Sequence, residues 1–167
     1  LLISIEQLIE SELVDAGFVR AVISDSPRSP AESCDYGLAH DVKSAALEVA
    51  FERFVDTPNC SAIDDFESFC VAHRWWLDDF ALFAALMKDF GTDDWTRWEP
   101  ALVHRQSEAL GEHKQRLAKR VEFEQFVQFV FYQQWHRLRE YANQKGILLF
   151  GDMPIFVAHG SADVWAH

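Results

Sequence analysis

Between Phe123 and Ala142, eight apolar residues return at the i, i+3, i+4, i+7 spacing of one helix face: Phe123, Phe126, Val127, Val130, Phe131, Trp135, Leu138 and Ala142. They lie in a periodic stretch that runs from Ser107 to Gln144, the strongest in the chain. Gly146 stands where a helix stop belongs, and the run Ile147-Leu148-Leu149-Phe150 follows at once. A short apolar run without alternation reads as a strand buried on both faces, as in a parallel sheet. Helix, glycine and buried strand together form the αβ half of a βαβ unit. The expected fold class is therefore α/β, with only the final third of the chain showing that repeat.

Everything earlier reads as helix. Ser4 to Gln7 has the form of a capping box, Leu8, Ile9 and Leu13 follow at helical spacing, and Gly17 is the expected stop. Ser24 to Ser33 carries two Pro and four Ser and reads as a loop. Asp35 is placed to cap a second helix, with Val42, Ala46, Val49 and Ala50 on one face, Phe54 near its end and Thr57-Pro58-Asn59 as the break. Asp64 to Glu67 opens a third helical region that Gly91 ends, and its bulky residues from Phe66 to Met87 predict burial on most sides. Trp95 and Trp98 fall in a loop that ends near Pro100.

Composition narrows the function classes. An apolar fraction of 49%, with 14 Phe and 6 Trp, supplies a core and argues against disorder. A formal net charge of -12 speaks against nucleic acid or an anionic membrane as partner. No apolar stretch approaches the roughly 20 residues that span a bilayer. Cys34, Cys60 and Cys70 are odd in number and show no CxxC spacing, so reduced thiols in the cytoplasm are the default. The chain lacks an initiator Met and begins mid-pattern at Leu1-Leu2-Ile3, which reads as an internal piece of a longer protein.

Asp152 stands at the C-terminal tip of the expected strand, behind Gly151, where α/β folds gather functional residues. A carboxylate there needs hydrogen-bonding partners, and a polyhydroxylated substrate, a backbone amide or an Arg would each supply them. Capping of the following turn is the alternative. His159, Ser161 and Asp163 lie too close in sequence to converge as a triad, and Asp152, His159 and Asp163 match no metal-ligand spacing. Trp75, Trp76, Trp95, Trp98 and Trp165 could stack on sugars, although core or helix packing is the favoured role for each of them.

The stretch from Gly151-Asp152-Met153-Pro154 to His159, with Ser161-Ala162-Asp163-Val164-Trp165-Ala166 after it, closely resembles the amylomaltase family of 4-α-glucanotransferases. Leu1 to Ser4, Trp76 to Phe83, and Phe123 to Trp135 with its Gln134-Trp135 pair are similar to the same family, as are Asp35-Tyr36, Lys43, Leu47, Ala50-Phe51 and Phe54. Gly160 departs from the pattern, since many members carry Asp there, and it is expected to be a tolerant position.

The resemblance implies a fragment of a (β/α)8 TIM barrel: mostly helical insertion subdomain, plus one barrel helix and one barrel strand. Residues 1–106 would form a substrate-side loop and the insertion, and residues 107–167 the barrel helix, strand and active-site loop. It implies transfer of α-1,4-glucan segments to another sugar's 4-hydroxyl by a retaining double displacement. The nucleophile and acid/base are expected outside this chain, which should be inactive alone. Asp152, Pro154, Ser161, Asp163 and Trp165 are the implied substrate-binding residues, with Asp152 gripping sugar hydroxyls just before the cleaved bond. The expected partner is a maltooligosaccharide or α-glucan, with no metal and no cofactor. An α-glucan hydrolase of the same barrel class and a non-catalytic helical interaction module are the rival readings.

Overall fold

The computed structural model describes residues 2–25, 35–57, 59–153 and 155–167. In chain order its helices are α1 (Ile5–Glu10), α2 (Ala16–Asp25), α3 (Tyr36–Asp56), α4 (Cys60–Phe90), a 3-10 turn (Trp95–Arg97), α5 (Pro100–Val103), α6 (Ser107–Arg116), α7 (Ala118–Gln144) and α8 (Ala162–Ala166). No strand occurs among the described residues.

The first helix starts as its capping box predicts, with the Ser4 hydroxyl accepting the Gln7 N–H at 3.3 Å. It does not run on to Gly17. It stops after Glu10, and Glu12 takes a positive φ of 60° in a Schellman turn, where Leu13 N–H donates to the Leu8 carbonyl and Glu12 N–H to that of Ile9. That conformation costs a non-glycine residue about 1–2 kcal/mol. Arg53 on α3 holds the turn by donating to the Glu12 carbonyl at 2.6 Å. Asp15 then caps α2, accepting from Gly17 and Phe18 N–H, so the expected stop at Gly17 lies in a first turn instead. The apolar spacing crosses this break, and that is why the pattern hid it. Of the expected loop at Ser24 to Ser33, Ser24 belongs to α2 and residues 26–33 lie outside the described ones.

Asp35 caps α3 through Leu38 N–H at 2.9 Å, as its position predicts. Asn59 caps α4 by accepting from Ser61 N–H, which starts that helix four residues before Asp64. Gly91, at φ 67°, ends it in the left-handed conformation. The long periodic stretch is two helices, because Leu117, with ψ 17°, parts α6 from α7. Gly146, at φ 73°, closes α7 in a second Schellman turn, with Ile147 N–H on the Ala142 carbonyl and Gly146 N–H on that of Asn143.

Two apolar clusters hold the helices together. One gathers Leu8, Val14, Val42, Ala46, Ala50 and Phe51 against Phe66, Phe123, Phe126, Phe129 and Val130. Its centre is aromatic: Phe126 lies 5.0 Å from Phe54 and 5.5 Å from Phe51, centroid to centroid, in tilted geometry. The other joins Ala81, Leu82, Phe83, Ala85 and Leu86 of α4 to Trp98, Leu102, Val121 and Trp165. It ties the C-terminal segment to the helical body.

The strand expected at Ile147 to Phe150 is not formed. These residues have no regular structure, and Leu148 and Phe150 are 88% and 100% exposed. A strand is held by ladder bonds to a neighbour, and the described residues offer none. Trp135, Leu138 and Tyr141 on the last turns of α7 are exposed too, so beyond Phe131 only Ala142 of that helix's apolar stripe is buried.

Candidate functional site

The final seventeen residues divide into an exposed arm and a docked end. Asp152, Met153 and residues 155–159 are all exposed, and no hydrogen bond or ion pair engages Asp152 among the described residues. Gly160 begins the docked end. A Cβ built on it would meet the Asp93 carbonyl and carboxylate oxygens at 3.1 Å, tight enough that Asp93 would have to shift. The position expected to be tolerant is therefore a point of close approach, and an added carboxylate there would face that of Asp93.

Ser161 caps α8, its hydroxyl accepting Val164 N–H at 3.4 Å. Trp165 is 3% exposed and belongs to the core. Its indole N–H donates to the Leu102 carbonyl at 3.1 Å, its ring packs on Phe83 and Trp98, and the Arg105 guanidinium lies 4.4 Å over it. Arg105 in turn pairs with Asp79 of α4 at 2.6 Å. The residue expected to stack on sugar thus presents no open face here and anchors α8 instead. Pro154 lies outside the described residues.

Asp163 is exposed and lines a crevice of about 90 Å³ between α4 and α8, together with Trp75, Trp76, Asp79, Phe80, Ala162, Ala166 and His167. Trp75 stands 82% exposed at this crevice, while Trp76 stacks on Tyr132 at 5.9 Å. A planar aromatic face beside a carboxylate suits a sugar, which offers apolar C–H faces and hydroxyl edges. The crevice is well below the roughly 300 Å³ at which enclosing ligand pockets begin. A sugar would lie across it rather than within it. The sequence marks Trp75 only as one of five tryptophans that could stack on sugars, and burial is what separates it from Trp98 and Trp165.

Larger cavities of about 600, 520 and 310 Å³ open between the helices, and none is lined by a residue after Glu140. The second holds Cys70, whose thiol burial pushes up to about 11, with the Asp78, Glu122 and Glu67 carboxylates adding to the shift. A thiol held so high is almost wholly protonated at neutral pH and a poor nucleophile. Polar side chains line two of these spaces, Arg53, Gln134 and Arg137 the largest and His73, His136 and Glu140 the smallest, but none includes the C-terminal motif, and the exposed arm and the α4–α8 crevice are therefore the candidate site. No group of three or more His, Cys, Asp or Glu is placed to hold a metal ion among the described residues. No helix there is long and apolar enough to cross a membrane.

A family model described as 4-alpha-glucanotransferase matches residues 1–167. The chain is 41% identical over 155 residues to a 4-alpha-glucanotransferase of Thermus thermophilus, covering 93% of this chain and 30% of the relative. It is 37% identical over 167 residues to one from Synechocystis, covering 99% and 32%, and 34% identical over 169 residues to the chloroplastic/amyloplastic enzyme of Solanum tuberosum, covering 100% and 28%. Among solved structures, the amylomaltase from Streptococcus agalactiae in complex with acarbose superposes with a TM-score of 0.87 at 31% identity, covering 98% of this chain and 32% of that one. The chain spans about a third of the length of the curated relatives it matches.

Proposed function

This chain belongs to the 4-alpha-glucanotransferase family, and on that premise we propose that the protein carrying it transfers α-1,4-glucan segments to the 4-hydroxyl of another glucan or of glucose. The observation that carries the reading is the match of all 167 residues to the family, together with the superposition on an amylomaltase. The chemistry is a retaining double displacement, in which one carboxylate attacks the anomeric carbon while a second carboxyl protonates the leaving oxygen. Neither group of that pair is assigned to this chain, whose part is to bind the glucan. The reaction belongs in the cytoplasm, where unpaired cysteines stay reduced.

Within this reading the run Ile147 to Phe150 is a barrel strand that pairs in the complete protein, and α7 is its barrel helix. The division then falls between residues 106 and 107, with the helical insertion before it. Exposed apolar residues at Leu138, Tyr141, Leu148 and Phe150 support the assignment, since such a face is one that further protein would cover. Asp152 accepts sugar hydroxyls, which its unengaged carboxylate is suited to do. Asp163 and Trp75 offer an outer contact across the crevice. Ser161 and Trp165 act on the substrate through α8, one capping it and the other anchoring it, and Pro154 keeps the contact role that the motif implies.

The test is incubation of the complete protein with maltotriose. Glucose together with maltodextrins longer than the donor is the expected result. Glucose and maltose without longer products would make the protein a hydrolase, and no products at all would sink both enzymatic readings. The 167-residue chain by itself is expected to give none.

A further inference from the structure

The crevice between α4 and α8 carries a chemistry that a sugar lying across it does not use. Its lining brings together three aromatic rings, Trp75, Trp76 and Phe80, and two carboxylates, Asp79 and Asp163. Trp76 and Phe80 meet edge to face, with centroids 5.9 Å apart at 62°, and form a corner. Tyr132 backs that corner by stacking on Trp76, and the His73 Nδ1 accepts the Trp76 indole N–H at 3.3 Å. Trp75 is the third ring and stands 82% exposed.

The charge of the crevice is one-sided. No hydrogen bond or ion pair engages the Asp163 carboxylate among the described residues. Asp79 gives its Oδ1 to Arg105 at 2.6 Å, and its Oδ2 holds no partner among them. The lining includes His167 but no lysine or arginine. A cation is drawn to such a place twice, by the carboxylates and by the negative faces of the rings, among which tryptophan is the strongest.

Size and ligand count narrow the cation. A void of roughly 150 Å³ takes a benzene molecule, so one of about 90 Å³ takes a more compact group. A bare metal ion is not served, because no three His, Cys, Asp or Glu converge among the described residues. A substituted ammonium needs no ligand set. Its alkyl groups pack on rings while its charge faces carboxylates.

We propose that the α4–α8 crevice binds a small organic ammonium ion. Its head packs against Trp75, Trp76 and Phe80, with Asp163 and the Asp79 Oδ2 as counter-charges. The inference does not depend on glucan transfer.

The experiment titrates choline chloride into the complete protein at constant ionic strength and follows broadening of the choline methyl proton resonance. Saturable binding is expected. The uncharged isostere, in which carbon replaces the ammonium nitrogen, should bind at least about tenfold more weakly. Trp75→Ala should raise Kd about five- to tenfold and Asp163→Asn about threefold. Trp75→Phe keeps a weaker ring face and should fall between wild type and Trp75→Ala. Trp75 is at the surface, so Tm should move by less than about 3 °C in each variant.

No saturable binding at tens of millimolar choline overturns the site, including the case in which another part of the complete protein fills the crevice. Equal binding of the isostere makes the crevice an apolar hole and overturns the cation. A Kd unchanged in both Trp75→Ala and Asp163→Asn puts the choline elsewhere and equally overturns the proposal. If Trp75→Ala fails to fold, Trp75→Phe and Asp163→Asn decide in its place.

Discussion

Ser4 and Gln134 exchange two hydrogen bonds across 130 positions of sequence: Ser4 N–H donates to Gln134 Oε1 at 2.7 Å, and Gln134 Nε2 donates to the Ser4 carbonyl at 3.1 Å. A side-chain amide here does what a neighbouring strand would do, offering acceptor and donor together to the backbone N–H and C=O of one residue. It fixes the start of α1 against α7, beside the aromatic cluster of Phe51, Phe54 and Phe126.

Gln134→Leu leaves both Ser4 groups without these partners at a half-buried place, and should destabilise the chain by about 1–3 kcal/mol. Its exposed neighbour supplies the control, because Gln133→Leu should change stability by less than about 0.5 kcal/mol. Urea unfolding of the two variants measures the difference. Equal midpoints would show that the paired bonds contribute nothing net.

Periodicity and caps made much of the helical body legible. The Asp35 cap, the Gly91 and Gly146 stops, the buried face of α3 and the Phe123–Phe126–Val130 part of the α7 face all follow from residues within one turn of one another, whereas Trp135 and Leu138 of the expected α7 face are exposed. What was missed depends on distant or conformational facts. The end of α1 rests on Glu12 adopting a positive φ under the hold of Arg53, 41 positions away. The opening of α4 at Asn59 is written in a cap, but the break at Thr57-Pro58-Asn59 was read only as an end. The run Ile147 to Phe150 has the apolar pattern of a buried strand but forms none in this chain, because a ladder needs a second strand. At the candidate site, sequence marked Asp152 and the segment after it. It could not tell that Trp165 faces inward and Trp75 outward, since a tryptophan's role is decided by which helices surround it.

The ion pair of Asp89 with Arg116 predicts a pH dependence. Arg116 donates to both Asp89 oxygens, at 3.1 and 2.6 Å, and these bonds hold the carboxyl below its ordinary 3.8. An acid lowered on folding adds stability that is complete above its unfolded value and is lost as pH falls through its folded one. Asp89→Asn should therefore lower Tm modestly at pH 7, and the gap to wild type should close below the ordinary 3.8. Thermal melts across the acid range check this. A gap that stays constant to the lowest pH would assign the loss to something other than the charge.

The last prediction concerns Asp152 in the complete protein. Its carboxylate is exposed and unengaged among the described residues, so it holds no turn together here and its removal should not weaken the fold. Asp152→Asn keeps the shape and removes the charge, which weakens hydrogen bonds from sugar hydroxyls that tighten as the ring flattens toward the oxocarbenium-like state. One or two charge-assisted bonds at roughly 1.5–3 kcal/mol each set the fall in kcat/KM between about tenfold and about twenty-thousand-fold. The Tm should stay within about 2 °C of wild type. Capping of the following turn predicts the reverse, a lowered Tm with nearly normal turnover per folded molecule. Steady-state rates on maltotriose and a melting curve, taken on the same preparation, separate the two, and near-normal kcat/KM would remove Asp152 from the glucan site.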